Sequence, residues 1–295
     1  MNRLLATPLF LLIGTGIGLG LLAPLGTLAN RAGFNPFLWI SMIMLVPGLL
    51  LLFLSRQENW RRSDLLGFGI IAGVFANVIP NSILLTAMPH IGSGLGGLMF
   101  ALSPVVTAVL SIAFKVRPPN RALMVSVALG FIGAVFIVSG RNSLTLPSAP
   151  TWLLIALLMP VSLAIGNVYR TAYWPKDATP LQTGAASNLL SVPPLIALAF
   201  WRDGSIDLAA FLSHWQLSLA QCAASIVMYL LFFRLQWVGG PTYLSQIGYV
   251  AAALGLAVGT FVFHETYPFI VWIGAAFILS GIVVTILEKR LIASR

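Results

Sequence analysis

Residues 88–115 read MPHIGSGLGGLMFALSPVVTAVLSIAFK and contain a long run without charge. Positions 91 to 114 hold no charged residue, and about 20 such residues cross a lipid bilayer as one helix. Glycines at positions 92, 94, 96 and 97 allow a neighbouring backbone to come close. Pro104 leaves a backbone carbonyl without a donor, and in lipid that carbonyl must face protein or a watery cavity. The pattern predicts a helix that lines a cavity.

The composition of the whole chain agrees with a membrane setting. Apolar residues make up 59% of the 295 residues, charged residues 8%, and the mean hydropathy is +0.97. A soluble domain carries about 25% charged residues, and a β-barrel alternates apolar and polar positions instead of keeping long apolar runs. We therefore predict an all-α polytopic membrane protein. With Cys222 as its one cysteine, the chain forms no intramolecular disulfide.

The apolar runs predict ten transmembrane helices in two inverted five-helix repeats around a central cavity. The predicted spans are 6–29, 36–55, 65–88, 91–114, 121–140, 151–173, 180–201, 209–233, 239–263 and 267–287. A cleaved signal peptide is an alternative for the first span. Its length, Pro24 and the lack of a clear cleavage site favour a true span.

Basic residues predict the orientation, because cytoplasmic loops are enriched in Lys and Arg. With the N-terminus inside, Arg31, Arg141 and Arg202 fall on the outer side and the rest of the 16 basic residues fall inside. We expect a multi-pass protein of the cell inner (plasma) membrane with both termini cytoplasmic. The net charge of +9 has this explanation, so we expect the lipid bilayer and not nucleic acid as its partner.

The two halves of the chain resemble each other at an offset of 144 to 148 residues. Asn35-Pro36 corresponds to Thr179-Pro180, and Val46-Pro47 corresponds to Val192-Pro193. The expected units are residues 1–147 and residues 148–295. Five spans in each half insert with opposite orientation, and such inverted repeats place the substrate between them near the bilayer midplane.

Residues 95–140 carry a likeness to a known family. The run LGGLMFALSPVVTAVL, a short basic loop and the run VALGFIGAVFIVSG resemble the EamA family of the drug/metabolite transporter (DMT) superfamily. Within that family the chain is similar to the aromatic amino acid exporters of the YddG type. The acidic residue usual after the fourth span is missing, and Glu265 stands in the second repeat. The resemblance implies an exporter that is not an enzyme and works by alternating access.

Acidic residues narrow the class of substrate. The seven acids lie in predicted loops or at span ends, so a buried cation would lack a counter-charge. A zwitterion or a neutral solute fits better, and amino acids are the expected substrates. The same absence leaves no obvious carboxylate for proton coupling, which favours facilitated export.

Candidate substrate-binding residues are polar or adaptable side chains within spans, where neighbours four apart share a helix face. They are Asn77, Asn81, Met99, Phe100, Ser103, Asn167, Ser225, Tyr229, Ser245, Gln246 and Tyr249. Candidate hinge or gating positions are Pro80, Pro104, Gly96 and Gly255. Each polar residue has an alternative role in helix packing or in bonding its own backbone. Arg170 is explained as an interfacial cation, although it could also attract a carboxylate.

Other functions remain as alternatives. An exporter of other small metabolites or drugs would use the same fold. A membrane enzyme would need His/Asp, Ser/His or metal ligands within spans, and a channel would need charged rings. The three histidines are scattered at span ends, so we expect no metal and no cofactor. We expect the protein to function as a monomer.

Overall fold

The computed structural model describes residues 7–56, 60, 63–116, 120–140, 150–261 and 268–293, and every regular element in these ranges is helical. The α-helices are α1 (Pro8–Arg31), α2 (Pro36–Leu54), α3 (Ser63–Gly73), α4 (Ile79–Ala113), α5 (Arg121–Gly140), α6 (Pro150–Ala172), α7 (Pro180–Asp203), α8 (Ala209–Ser213), α9 (Trp215–Ser245), α10 (Ile247–Phe261) and α11 (Phe269–Ala293). A π-helical turn, Val74–Val78, joins α3 to α4.

Helix starts follow from local sequence. Proline stands at the first position of α2 and α7, where its missing N–H costs nothing and its fixed φ suits the helix. Asn35 caps α2 by accepting from the N–H groups of Phe37 and Leu38. Thr179 and Gln182 form a capping box on α7. The caps therefore fall at the two positions that the sequence pairs as repeats.

The joint between α3 and α4 has a cause in Pro80. Proline cannot donate to the carbonyl four residues earlier, and its ring clashes with that carbonyl. The backbone widens into the π-turn just before it, with Ile79 N–H bonded to Val74 O. Asn81 Nδ2 donates to Asn77 O at 2.6 Å and satisfies a carbonyl of the widened turn. π-bulges of this kind are frequent at functional sites.

The predicted break between the third and fourth spans lies inside α4. Its backbone is helical from Ile79 to Ala113. Ala87 and Met99 both belong to the buried cluster that includes Ala156 and Met159 of α6, so α4 packs along α6. The predicted break at residues 89–90 is therefore absent from the described backbone.

The second half differs from the predicted spans 209–233 and 239–263. A separate short helix, α8, precedes α9, and helical structure continues to Ser245. Within it, Gly240 adopts φ 76° and ψ −177°, a conformation essentially confined to glycine, and Pro241 follows. The kink at Gly240 lies close to the predicted start of the ninth span, whereas the predicted end of the eighth span at residue 233 lies inside the helix.

Helices from the two halves pack against each other in pairs. The contacts join α2 to α7, α5 to α11, α1 to α9 and α10, and α6 to α4 and the π-turn. Glycines set the closest approaches: a Cβ on Gly166 would lie 2.6 Å from Ala76 Cβ. The buried apolar core lies mainly between α2, α7 and α9.

Large apolar side chains also cover the outside. Trp201, Phe269 and Leu212 are about four-fifths exposed, as expected of side chains that face lipid. Within the described residues, five helical segments are long and apolar enough to cross a membrane: Pro36–Leu54, Asp64–Ile83, Leu154–Ala172, Pro180–Asp203 and Trp215–Pro241. The all-helical architecture fits a polytopic membrane protein.

Candidate functional site

Asn77 lies in the π-turn and reaches a neighbouring helix. Its side chain is buried, and Nδ2 donates to Ser191 Oγ of α7 at 3.0 Å. Ser191 in turn donates to Ser187 O of its own helix at 2.7 Å. The backbones approach closely here, because a Cβ on Gly73 would lie 2.8 Å from Ser187 O. Beside this contact, the fully buried Asn188 has no hydrogen-bond partner for its amide among the described residues.

A second buried polar group lies on α6, directly after the crossing at Gly166. Asn167 and Arg170 are 6% and 1% exposed, and Arg170 Nη2 donates to Asn167 Oδ1 at 2.7 Å. Gln236 Nε2 of α9 donates to Asn167 O at 3.1 Å and to Thr171 Oγ1 at 2.6 Å. The guanidinium carbon of Arg170 lies 4.9 Å from the ring centroid of Phe232. Arg170 therefore sits between α6 and α9 and not at the interface with solvent, where the sequence places it.

Tyr229 completes this second group. Its ring stacks on Phe233 with 6.1 Å between centroids, and its hydroxyl donates to Met44 Sδ of α2 at 3.1 Å. We call Asn167, Arg170, Tyr229, Phe232, Phe233 and Gln236 the Arg170 cluster. Ser225, one turn earlier on α9, is fully buried but donates to Cys222 O of its own helix at 3.0 Å.

Three candidate residues at the start of α10 lie elsewhere. Ser245, Gln246 and Tyr249 are buried. Gln246 Oε1 accepts from Ser126 Oγ of α5 at 3.2 Å, and Tyr249 OH donates to Val127 O at 3.1 Å. These contacts direct Gln246 and Tyr249 to α5, so the structure does not join them to the Arg170 cluster.

The remaining candidates lie on α4 and α10. Met99 packs in the apolar cluster with Ala87, and Ser103 and Pro104 are buried. Pro80 is buried at the π-turn. Gly96 and Gly255 occupy helical backbone, and the side chain of Phe100 lies outside the described part of the chain.

Sequence reasoning left Arg170 and Gln236 out of the candidate set. Arg170 stands two residues before the end of α6, where a charged residue is most simply interfacial. The spacing Asn167 to Arg170 is i, i+3, which places both on one face of an otherwise apolar helix. That pairing is the available signal for a buried polar face.

One small cavity adjoins these residues, and a second lies elsewhere. A cavity of about 40 Å³ is lined by Thr171, Trp174, Gln236 and Trp237, beside the Arg170 cluster. Another of about 140 Å³ lies at residues 213–217, between α8 and α9. Within the described ranges, no group of three His, Cys, Asp or Glu side chains could hold a metal ion.

Two comparisons with known proteins find similarity to transporters. Residues 6–139 match the model of the EamA-like transporter family. A protein of Synechocystis sp. (strain PCC 6803) described as an uncharacterized transporter is 24% identical over 295 residues, covering 90% of this chain and 84% of that protein.

The fold has a counterpart among solved proteins. A structure described only as the crystal structure of a protein is similar with a TM-score of 0.70 and 18% identity, covering 94% of this chain and 98% of that one. Identity this low shows a shared fold alone. The first half of the chain is thus similar to the EamA-like transporter family, and nearly the whole chain is similar to a protein described as an uncharacterized transporter.

Proposed function

We propose that this chain is a secondary transporter that exports amino acids, aromatic and other neutral ones included, by alternating access. The observation that carries the proposal is the pair of buried polar groups around Asn77 and Arg170. They flank the close crossing of the π-turn and α6 at Gly166, between helices of both halves. Polar side chains inside a membrane bundle face the interior and mark substrate pathways.

The packing pattern supports two inverted halves, residues 1–147 and 148–295. A two-fold axis that relates the two halves would place α2 on α7 and α5 on α11. Helices related in this way can contact each other across the axis, and both of these pairs are in contact. The contact of α1 with α9 becomes a contact of α6 with the π-turn region, which also occurs. A repeat axis through the molecule requires such reciprocal pairs, and transporters of this design bind substrate at the axis.

The positions of the described aspartates support a substrate without a net positive charge. Asp64 begins α3, Asp203 ends α7, and Asp177 and Asp207 lie between helices. A cation exporter uses a carboxylate inside the bundle, and these positions are at helix ends. We therefore favour facilitated export down a gradient, without proton coupling and without a cofactor.

An exporter of other small metabolites or drugs is the second candidate. The unspecific description of the Synechocystis relative favours keeping it, because that protein is named only as an uncharacterized transporter. The counterflow assay described next separates the two candidates.

Counterflow of radiolabelled phenylalanine into proteoliposomes tests the proposal. We expect saturable uptake that other neutral amino acids inhibit and that needs no imposed pH gradient. Asn77→Ala should reduce the flux, whereas Ser139→Ala, at an exposed position on α5, should leave it unchanged. Absent amino acid flux together with flux of another metabolite would contradict the proposal, and a strict need for a pH gradient would contradict facilitated export.

A further inference from the structure

Arg170 is a buried cation without an anionic partner among the described residues. Its side chain is 1% exposed, the largest fully buried side chain in the described chain. No described carboxylate lies within ion-pair distance of it. Arginine keeps its charge at any physiological pH, so the guanidinium cannot avoid this burial by losing a proton.

The neighbours of Arg170 stabilise its guanidinium in part, through one hydrogen bond and two aromatic rings. Nη2 donates to Asn167 Oδ1, and the rings of Phe232 and Phe233 lie 4.9 Å and 5.7 Å from the guanidinium carbon. Ring faces attract cations, which offsets some of the desolvation. The Nε–H, however, has no hydrogen-bond partner among the described residues. A guanidinium carries five N–H donors in a fixed fork, so this one leaves binding capacity unused.

A hydrogen-bond acceptor of the Arg170 cluster is also unused. Gln236 is 1% exposed, and its Oε1 has no partner among the described residues, while its Nε2 holds Asn167 and Thr171. Buried polar atoms without partners are rare in native proteins and point to an absent ligand or water. Arg170 and Gln236 thus show two such atoms in one cluster.

A small cavity adjoins this cluster. It measures about 40 Å³ and is lined by Thr171, Trp174, Gln236 and Trp237. Gln236 lines this cavity and also donates through Nε2 to Asn167 O, while Asn167 Oδ1 accepts from Arg170.

We propose that Arg170 binds the carboxylate of the transported solute and that the site selects amphipathic monocarboxylates by this group. The guanidinium fork matches a carboxylate in bidentate geometry. One cation matches one negative charge, which disfavours a phosphate dianion. Phe232, Phe233 and Tyr229 supply an apolar and aromatic wall for the rest of the solute. The inference rests on the proposed export function and specifies its substrate class.

The same site has little to offer an ammonium group. No described acidic side chain belongs to the Arg170 cluster, and a second cation beside Arg170 would be repelled. The carboxylate should therefore dominate recognition. An acid that lacks the amino group should bind at least as well as the amino acid, whereas an amine or an amide should not bind.

Binding to the purified protein in nanodiscs tests this inference. Labelled 3-phenylpropionate and labelled phenylalanine serve as probes, with phenethylamine and phenylalaninamide as competitors. We expect both acids to bind and to displace each other, and both carboxylate-free competitors to fail. Arg170→Gln should weaken binding of both acids about 10- to 100-fold, the loss expected for a hydrogen bond to a charged group. The affinity of Arg170→Lys for both acids should lie between those of the unchanged protein and Arg170→Gln, because lysine keeps the charge without the fork of the guanidinium.

Two controls separate binding from folding. Arg234→Gln removes the same charge from an exposed position on α9 and should leave both affinities unchanged. Arg170→Met should keep or raise the thermal midpoint, because replacing a buried unpaired charge by an apolar side chain removes a desolvation cost. A lower midpoint of Arg170→Met, with unchanged affinity of Arg170→Gln, would make Arg170 a packing residue and overturn the inference.

The outcomes also separate this inference from the proposed function. Arg170-dependent binding of 3-phenylpropionate, with neither binding nor flux of phenylalanine, would support the carboxylate site and refute amino acid export. Phenylalanine flux that Arg170→Gln leaves unchanged would support amino acid export and refute the carboxylate site. Displacement by phenethylamine or phenylalaninamide as strong as by the acids overturns the carboxylate site, and binding of neither acid overturns both.

Discussion

Polar side chains inside the helices fall into two kinds, according to where their hydrogen bonds go. Asn81 and Ser225 bond the backbone of their own helix. Asn77 and Gln236 reach across to another helix. The second kind ties elements together and changes partners when helices move. Asn77 and Gln236 are for this reason better candidates for a transport pathway than Asn81 and Ser225.

The sequence shows which polar residues stand in apolar runs, and Asn77 and Asn167 are predicted in this way. It does not show how far a residue near a span end penetrates the bundle. Arg170 stands close to the end of α6, and long basic side chains normally extend from there to the interface. Its burial follows from packing against α9, which only the tertiary structure defines.

The Asn77–Ser191 hydrogen bond predicts a measurable coupling. A double-mutant cycle of Asn77→Ala and Ser191→Ala should give a coupling free energy of about 0.6 kcal/mol, the average for such bonds in membrane proteins. The measurement is reversible unfolding in mixed micelles. Additive effects of the two substitutions would show that the bond contributes nothing to stability.

At the level of helices, apolar runs and proline positions predict most boundaries. The predicted span 121–140 coincides with α5, and 180–201 begins with α7 at Pro180. Runs of this kind specify where helices lie because apolar residues and intact backbone hydrogen bonds are both required in lipid. They do not specify the π-turn before Pro80 or the continuation of α9 beyond Gly240, which depend on backbone geometry.

Close helix crossings make a sharp prediction at Gly166. Gly166→Ala should destabilise the protein by about 1 to 3 kcal/mol, because the added methyl meets Ala76 backbone atoms that cannot move aside. Gly67→Ala on α3 is the matched control, since a Cβ there meets nothing within 4 Å. That variant should be neutral or more stable, by up to about 1 kcal/mol, through helix propensity. Equal midpoints of the two variants in thermal unfolding would contradict the close crossing.

At the scale of the whole molecule, the pairs of contacting helices repeat when the two halves are exchanged. The caps Asn35 and Thr179 are separated by the offset that the proposed repeat predicts, and so are two residues with positive φ, Gly33 and Asp177. The sequence suggests this repeat through its half-chain offset. It also predicts two separate spans, 65–88 and 91–114, whereas the described backbone is helical without a break from Ile79 to Ala113.

The inverted arrangement of the halves is the claim on which the transport account rests, and cysteine labelling tests it most directly. In a Cys222→Ala background, Asn30→Cys marks the end of α1 and Ala172→Cys the end of α6; both positions are exposed, and neither change removes a charge. A membrane-impermeant maleimide on intact cells should label position 30, and position 172 only after permeabilisation. Labelling of both positions from the same side would contradict the inverted halves and the transporter account built on them.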